Sequence, residues 1–155
     1  MRKKILVVMF VFVMLLHSTV SSALEFRYIQ IFDPKQDKVV KVVQLNDEIH
    51  NMILSSIKDV DSLYPKSKPL TDDGYAMKVP IYPAVRLEGK CLNTLVDNIF
   101  IIIPQHEDPF FMVFENNNKQ LCFPFKGNVN DLSKLLDFKL KKIGRASCRE
   151  RVFAG

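Results

Sequence analysis

The chain has 155 residues and a formal net charge of +5. The whole excess lies at its two ends, in Arg2, Lys3 and Lys4 and in Arg145, Arg149 and Arg151 against Glu150, so residues 24–142 carry 16 basic and 16 acidic side chains. That balance excludes a basic nucleic-acid-binding domain, which gathers Lys and Arg on one surface, and the stretch is long enough for a single domain with its own core.

Arg2, Lys3 and Lys4 precede an unbroken apolar run of 12 residues, Ile5 to Leu16, and Ser21-Ser22-Ala23 offers small residues for a cleavage site. The pattern predicts a secretory signal peptide over residues 1–23. The run is shorter than the roughly 18 apolar residues of a membrane span. No stable span is therefore expected after cleavage, with an uncleaved N-terminal anchor as the alternative.

Glu25 to Phe32 alternates as a strand. Asp33 to Asp37 supplies turn residues, and Lys38 to Gln44 (KVVKVVQ) is a β-branched second strand, so the pair reads as an antiparallel hairpin. Asn46 is an N-cap, with Leu45 before it and Asp47 and Glu48 in the first turn. Ile49, Met52, Ile53, Ile57 and Val60 repeat at three- and four-residue spacing, predicting one long helix that Pro65 stops just before Leu63 or Tyr64.

Pro65 to Gly74 is polar and holds two prolines and an Asp-Gly pair, the composition of a loop. Tyr75 to Val79 and Ala84 to Leu87 read as two short strands, at an edge or broken, because Pro80 and Pro83 cannot donate to a ladder. Glu88-Gly89-Lys90 is a turn signal, and Cys91 to Val96 is ambiguous. Asn98 to Ile103, Phe110 to Glu115 and Gln120 to Phe125 form a predicted three-stranded meander, with Pro124 placing the last strand at an edge. In the middle strand Phe111 and Val113 point opposite to Phe110, Met112 and Phe114, so both faces of this sheet are apolar. Asn128 to Phe138 reads as a short final helix with Val129, Leu132, Leu135 and Leu136 as its apolar face. The sum is an α+β domain over residues 24–142: a mainly antiparallel sheet of about five to seven strands, one long helix and one short C-terminal helix, with the helices on one face.

Chemistry-bearing motifs are sparse. No Gly-x-Ser-x-Gly, His-Glu-x-x-His, paired Cys-x-x-Cys, calcium loop or phosphate-cradling Gly-rich loop occurs. His50 reads as a solvated helix histidine. His106, Glu107 and Asp108 share the polar 105–109 loop and are the weak catalytic candidates, as a general base or a metal ligand. Either cysteine, Cys91 or Cys122, paired with His106 is a remoter nucleophile arrangement. An exported chain allows one disulfide between these two, while unpaired, buried thiols are the simpler reading. No cofactor and no metal are expected. The leading reading is an exported, non-enzymatic domain that binds a protein or cell-envelope component, without nucleic acid. The alternatives are a small extracellular hydrolase or metal-dependent enzyme using the 105–109 loop, and a purely structural envelope protein.

Two resemblances bear on these readings. Ile143 to Val152 (IGRASCRERV) resembles the translation of a common sequencing adapter, so residues 143–155 are expected not to belong to the natural protein. The signal-peptide pattern, FDPKQDKVVKVVQ (Phe32 to Gln44), LNTLVDNI (Leu92 to Ile99) and PFFMVFE (Pro109 to Glu115) resemble small exported, uncharacterised proteins of spore-forming Gram-positive bacteria. That second resemblance spans most of residues 24–142. It implies a secreted or envelope-side location and carries over no activity.

Overall fold

The computed structural model describes residues 27–58, 60–65, 72–115 and 119–140. The signal-peptide pattern, the start of the first expected strand, most of the 65–74 connection, residues 116–118 and the adapter-like tail lie outside the described residues. Among the described residues, six strands and two helices follow in the order β1 (Tyr28–Asp33), β2 (Lys38–Gln44), α1 (Asp47–Ser56), β3 (Tyr75–Glu88), β4 (Asn93–Ile103), β5 (Phe110–Phe114), β6 (Gln120–Pro124) and α2 (Val129–Leu135). The strands form one sheet in the order β2-β1-β3-β4-β5-β6, and every neighbouring pair is antiparallel. The domain is therefore α+β, as composition and patterning predicted. The three-stranded meander is present, with Pro124 in the edge strand β6, where a missing N–H costs no central ladder bond.

The β1–β2 hairpin closes through Asp33. Its carboxylate accepts the Lys35 backbone N–H at 2.9 Å, and its carbonyl accepts the Gln36 N–H at 3.2 Å. Asp37 takes a left-handed backbone at φ 49° to complete the turn. Asp is one of the few residues with a Cβ that adopt this conformation readily, because its short side chain bonds locally. In β2 the register slips by one residue: Ile31 stands opposite Lys41 but Phe32 opposite Val39. Val40 is the extra residue of a β-bulge.

The first helix is shorter than its apolar period predicted. Asn46 caps it as expected, its side-chain oxygen accepting the Ile49 N–H at 2.8 Å. It then ends at Ser56, after 10 residues, although Ile57 and Val60 remain buried. Ser55 and Ser56 both turn their hydroxyls back to the Met52 carbonyl, at 2.7 and 2.8 Å, a local bond that competes with helix continuation. Beyond that point tertiary partners replace the helical ladder. The Ser56 carbonyl accepts from Lys126 N–H at 3.4 Å, and Tyr64 N–H donates to the Cys122 carbonyl of β6 at 2.7 Å. Ile57 and Val60 stay inside because the core draws them there, not because a helix carries them.

The second correction concerns the two expected short strands around Pro80 and Pro83, which form the single 14-residue strand β3. Residues 75–80 and 85–88 both pair with β4, across an irregularity between Pro80 and Val85 that contains a cis Tyr82–Pro83 bond. Pairing between β3 and β1 stops at Lys78. The prolines thus occupy the part of the strand that has one neighbour only, where the edge rule tolerates them. β4 also begins earlier than expected, at Asn93, and absorbs the ambiguous segment. The turn between β3 and β4 needs Gly89 because a Cβ there would sit 2.7 Å from Val60 Cγ2 and 2.9 Å from the Val60 carbonyl oxygen. This contact seats the hairpin tip against the chain that leaves α1.

One face of the sheet carries the main core. Ile29, Ile31, Met77, Val79, Ile99, Ile101, Ile103, Phe111, Val113 and Phe123 meet Ile49 and Ile53 of α1 and Leu132, Leu136 and Leu140 in and after α2. Each such side chain removed from water contributes about 1.5–3 kcal/mol. All of these residues lie between positions 29 and 140. The opposite face is read from the strand registers as cross-strand rows. One row runs Val39, Phe32, Ala76, Ile102, Phe110, Pro124; the next runs Val42, Gln30, Lys78, Phe100, Met112, Cys122. Ala76, Ile102, Phe110, Met112 and Cys122 form a second, smaller buried cluster, against which Tyr64 and Phe32 pack. The expectation that Phe111 and Val113 face away from Phe110 and Met112 is thus met by two separate clusters. Among the described residues no helix is long and apolar enough to cross a membrane.

Candidate functional site

Two surface features stand out, a cleft at one end of the sheet and the more exposed half of the helix-free face. The cleft, about 600 Å³, is bounded by the β1–β2 turn, by residues 73–75 at the entry to β3 and by the start of the β4–β5 loop. Asp33, Lys35, Gln36, Asp73, Gly74, Tyr75, Gln105 and His106 line it. Gly74 is required by conformation as well as by space, since its φ of 94° belongs to the left-handed half of the map and a Cβ would run into the Ile103 carbonyl. Tyr75 is fixed edge-on against Phe138, with ring centroids 5.0 Å apart. Gln105 donates to the Leu140 carbonyl at 3.4 Å. The cleft wall is therefore held by the segment that follows α2.

His106 lies in the cleft, with its Nε2 3.7 Å from Asp73 Oδ2. Glu107 and Asp108, its sequence neighbours and fellow candidates, are exposed and do not line it. The loop therefore does not converge on one point. His106 instead meets a carboxylate from a distant part of the chain. The His106 side chain is 89% exposed, so the contact with Asp73 lies open to solvent. Among the described residues, the cleft lining includes no Ser, Thr or Cys to serve as a nucleophile.

The Asp33 carboxylate, also at the cleft, is fastened within its own turn. Its Oδ2 accepts from the Gln36 side-chain amide at 2.6 Å, and its Oδ1 from the Lys35 backbone N–H. The Gln36 amide above all, with the Lys35 and Gln36 backbone groups and the Lys35 charge, holds this carboxyl below its ordinary value of 3.8, against the opposing effect of burial. A carboxylate so occupied is a turn fastener with its acceptor sites largely filled.

Cys91 and Cys122 are not joined in a disulfide with each other. Cys91 is exposed at the β3–β4 tip with its Sγ 3.7 Å from the Asp61 carbonyl oxygen, whereas Cys122 is buried on the helix-free face. The reading of two buried thiols is corrected for Cys91, which the hairpin tip carries into solvent, and neither thiol lines the cleft beside His106. His50 also departs from expectation. It is half-buried, and its Nε2 is shut off from solvent without a hydrogen-bond partner among the described residues. Among the described residues, no group of three or more His, Cys, Asp and Glu side chains gathers where one metal ion would bind them.

The second feature lies on the helix-free face over β2, β1 and β3. Tyr28 is 48% exposed, Tyr82 60% and Val42 54%. Between them lie Gln30, Lys78 and Asn98, which with Arg27 and Pro80 line a shallow depression. The Arg27 guanidinium sits 3.4 Å above the Tyr82 ring, a cation–π contact that holds this aromatic in place. Sequence reasoning missed this grouping, because its members come from four strands, β1 to β4, whose registers no local pattern reveals. The chain matches no protein-family model, and comparison with curated proteins and with solved structures likewise finds no match.

Proposed function

We propose that this is an exported domain that acts by binding a protein or cell-envelope component, without catalysis. The observation that carries the reading is the open half-face, where two tyrosines and a valine stand exposed around amide and lysine side chains. Binding surfaces combine aromatic anchors with adaptable polar groups in this way, and a lone exposed apolar residue would need no such account. The signal-peptide pattern supports export. The test is retention of the purified protein on isolated cell walls and membranes of a Gram-positive host. Tyr28→Ala and Tyr82→Ala should each weaken retention about tenfold, a typical consequence of losing an interface anchor, whereas His106→Ala should leave it unchanged. Retention insensitive to both tyrosines would refute the surface assignment.

The second reading, hydrolysis through the 105–109 loop, rests on the approach of His106 to Asp73. A His–carboxylate pair orients an imidazole for proton transfer. Turnover of any ester, amide or glycoside that His106→Ala abolishes would replace the binding reading by this one. A domain with neither retention nor turnover would be the structural envelope protein.

A further inference from the structure

β2 ends the sheet, and among the described residues no strand pairs with its outer edge. The other edge is partly occupied, since Tyr64 N–H bonds the Cys122 carbonyl of β6. An open edge presents unpaired N–H and C=O groups, and proteins commonly guard such edges with lysines. β2 has two, Lys38 at its start and Lys41 in its middle. Lys41 does not stand guard. Its ammonium is turned to the helix side of the sheet, onto the carbonyl and carboxylate of Asp137 just beyond α2. The middle of the strand is left with Val39 and Val42, 47% and 54% exposed.

The bulge at Val40 gives these valines an unusual relation. Three positions apart, they would ordinarily point to opposite faces. The slipped register puts Val42 opposite Gln30 and Val39 opposite Phe32, both on the helix-free face. In an antiparallel pair, residues directly opposite share a face and their side chains touch. If β2 meets β2 of a second copy about a twofold axis, one register sets Val39 of each copy against Val42 of the other. The four valines then form one apolar cluster continuous with Phe32. Residues 24–142 carry balanced charge, so two copies meet without net repulsion, and each Lys41 already has the Asp137 carboxylate of its own chain 3.4 Å away.

We propose that two copies of this chain join through antiparallel β2 strands, with Val39 of each packed on Val42 of its partner. A twofold axis perpendicular to the sheet closes the assembly. It sets the two open half-faces side by side on one surface, whatever that surface binds. The test is sedimentation equilibrium of the purified full chain, with circular dichroism to verify folding. The wild type should be a dimer. Val42→Lys should be a folded monomer at the same concentration, and Val39→Lys, the second variant, should behave alike. Leu95→Lys, altering a residue that is 61% exposed on β4 away from β2, should remain a dimer. A wild-type monomer at the highest attainable concentration overturns the proposal, as does a dimer that both β2 variants leave intact.

Discussion

The ring of Tyr64 lies flat on that of Phe110, with centroids 4.9 Å apart and an interplanar angle of 9°. The contact joins the chain leaving α1 to the helix-free face of β5, and the Tyr64 backbone N–H fastens the same segment to Cys122 on β6. One residue thus covers the small cluster and occupies part of the β6 edge. Tyr64→Ala is expected to cost about 2 kcal/mol, the aromatic pairing plus part of the buried ring area. Tyr64→Phe should cost little, since the backbone bond and the ring remain. Urea denaturation of the two variants measures both, and equal losses would show that the hydroxyl, not the stacked ring, holds the segment.

This contact also marks the boundary of what could be read in advance. The apolar spacing of Ile49, Met52, Ile53, Ile57 and Val60 is continuous, so periodicity alone extends the helix to Tyr64. What ends it at Ser56 is a pair of serine hydroxyls and backbone bonds to β6 and the segment after it, and only the first of these is local. β2 and the β4–β6 meander were legible because their β-branched and aromatic runs are bounded by turn residues. β3 was divided in two because Pro80 and Pro83 read as breaks, and nothing in the sequence says that β1 stops before them. The pairing of His106 with Asp73 had no sequence signal either: the two are far apart in the chain, and adjacency favoured Glu107 and Asp108.

Asp33 makes the turn beside the cleft sensitive to acid. Its carboxyl is held below the ordinary value of 3.8, so the folded state binds this proton less readily than the unfolded chain. The stability it contributes is fully present above the unfolded value and is lost as pH falls through the folded one. NMR titration of the Asp33 side chain should give a midpoint below 3.8. Gln36→Ala should raise that midpoint toward the ordinary value, because it removes the leading cause of the shift. An unmoved midpoint would assign the shift to the Lys35 backbone bond.

Cys91 and Cys122 differ in access, and reactivity follows access and thiolate character. In native protein a thiol reagent should label Cys91 rapidly, and Cys91→Ser should abolish that fast phase. Cys122 should react only when the sheet opens, so its labelling rate should rise with urea along the unfolding transition. A chain with neither thiol titratable after denaturation would contain the disulfide that the structure lacks.

Asp137 sets two effects against each other. It ends α2 in the left-handed conformation, at φ 46°, while the Phe138 and Asp137 N–H groups bond the Ser133 and Lys134 carbonyls at 3.0 and 3.1 Å. This is the Schellman arrangement, whose left-handed position is usually glycine. The Asp137 carboxylate also lies 3.4 Å from Lys41 Nζ, but it is fully exposed, and pairs of that kind contribute about 0–1 kcal/mol. Asp137→Gly and Asp137→Ala both delete the carboxylate and keep the carbonyl that Lys41 also contacts. They differ in the Cβ, which a left-handed backbone disfavours by roughly 1 kcal/mol. The glycine variant is therefore expected to be about 1 kcal/mol more stable than the alanine variant and close to the wild type. Thermal melts of the three proteins decide it. A glycine variant no better than alanine would mean that the backbone relaxes away from the left-handed state, and a large loss in both would give the Lys41 pair more weight than its exposure implies.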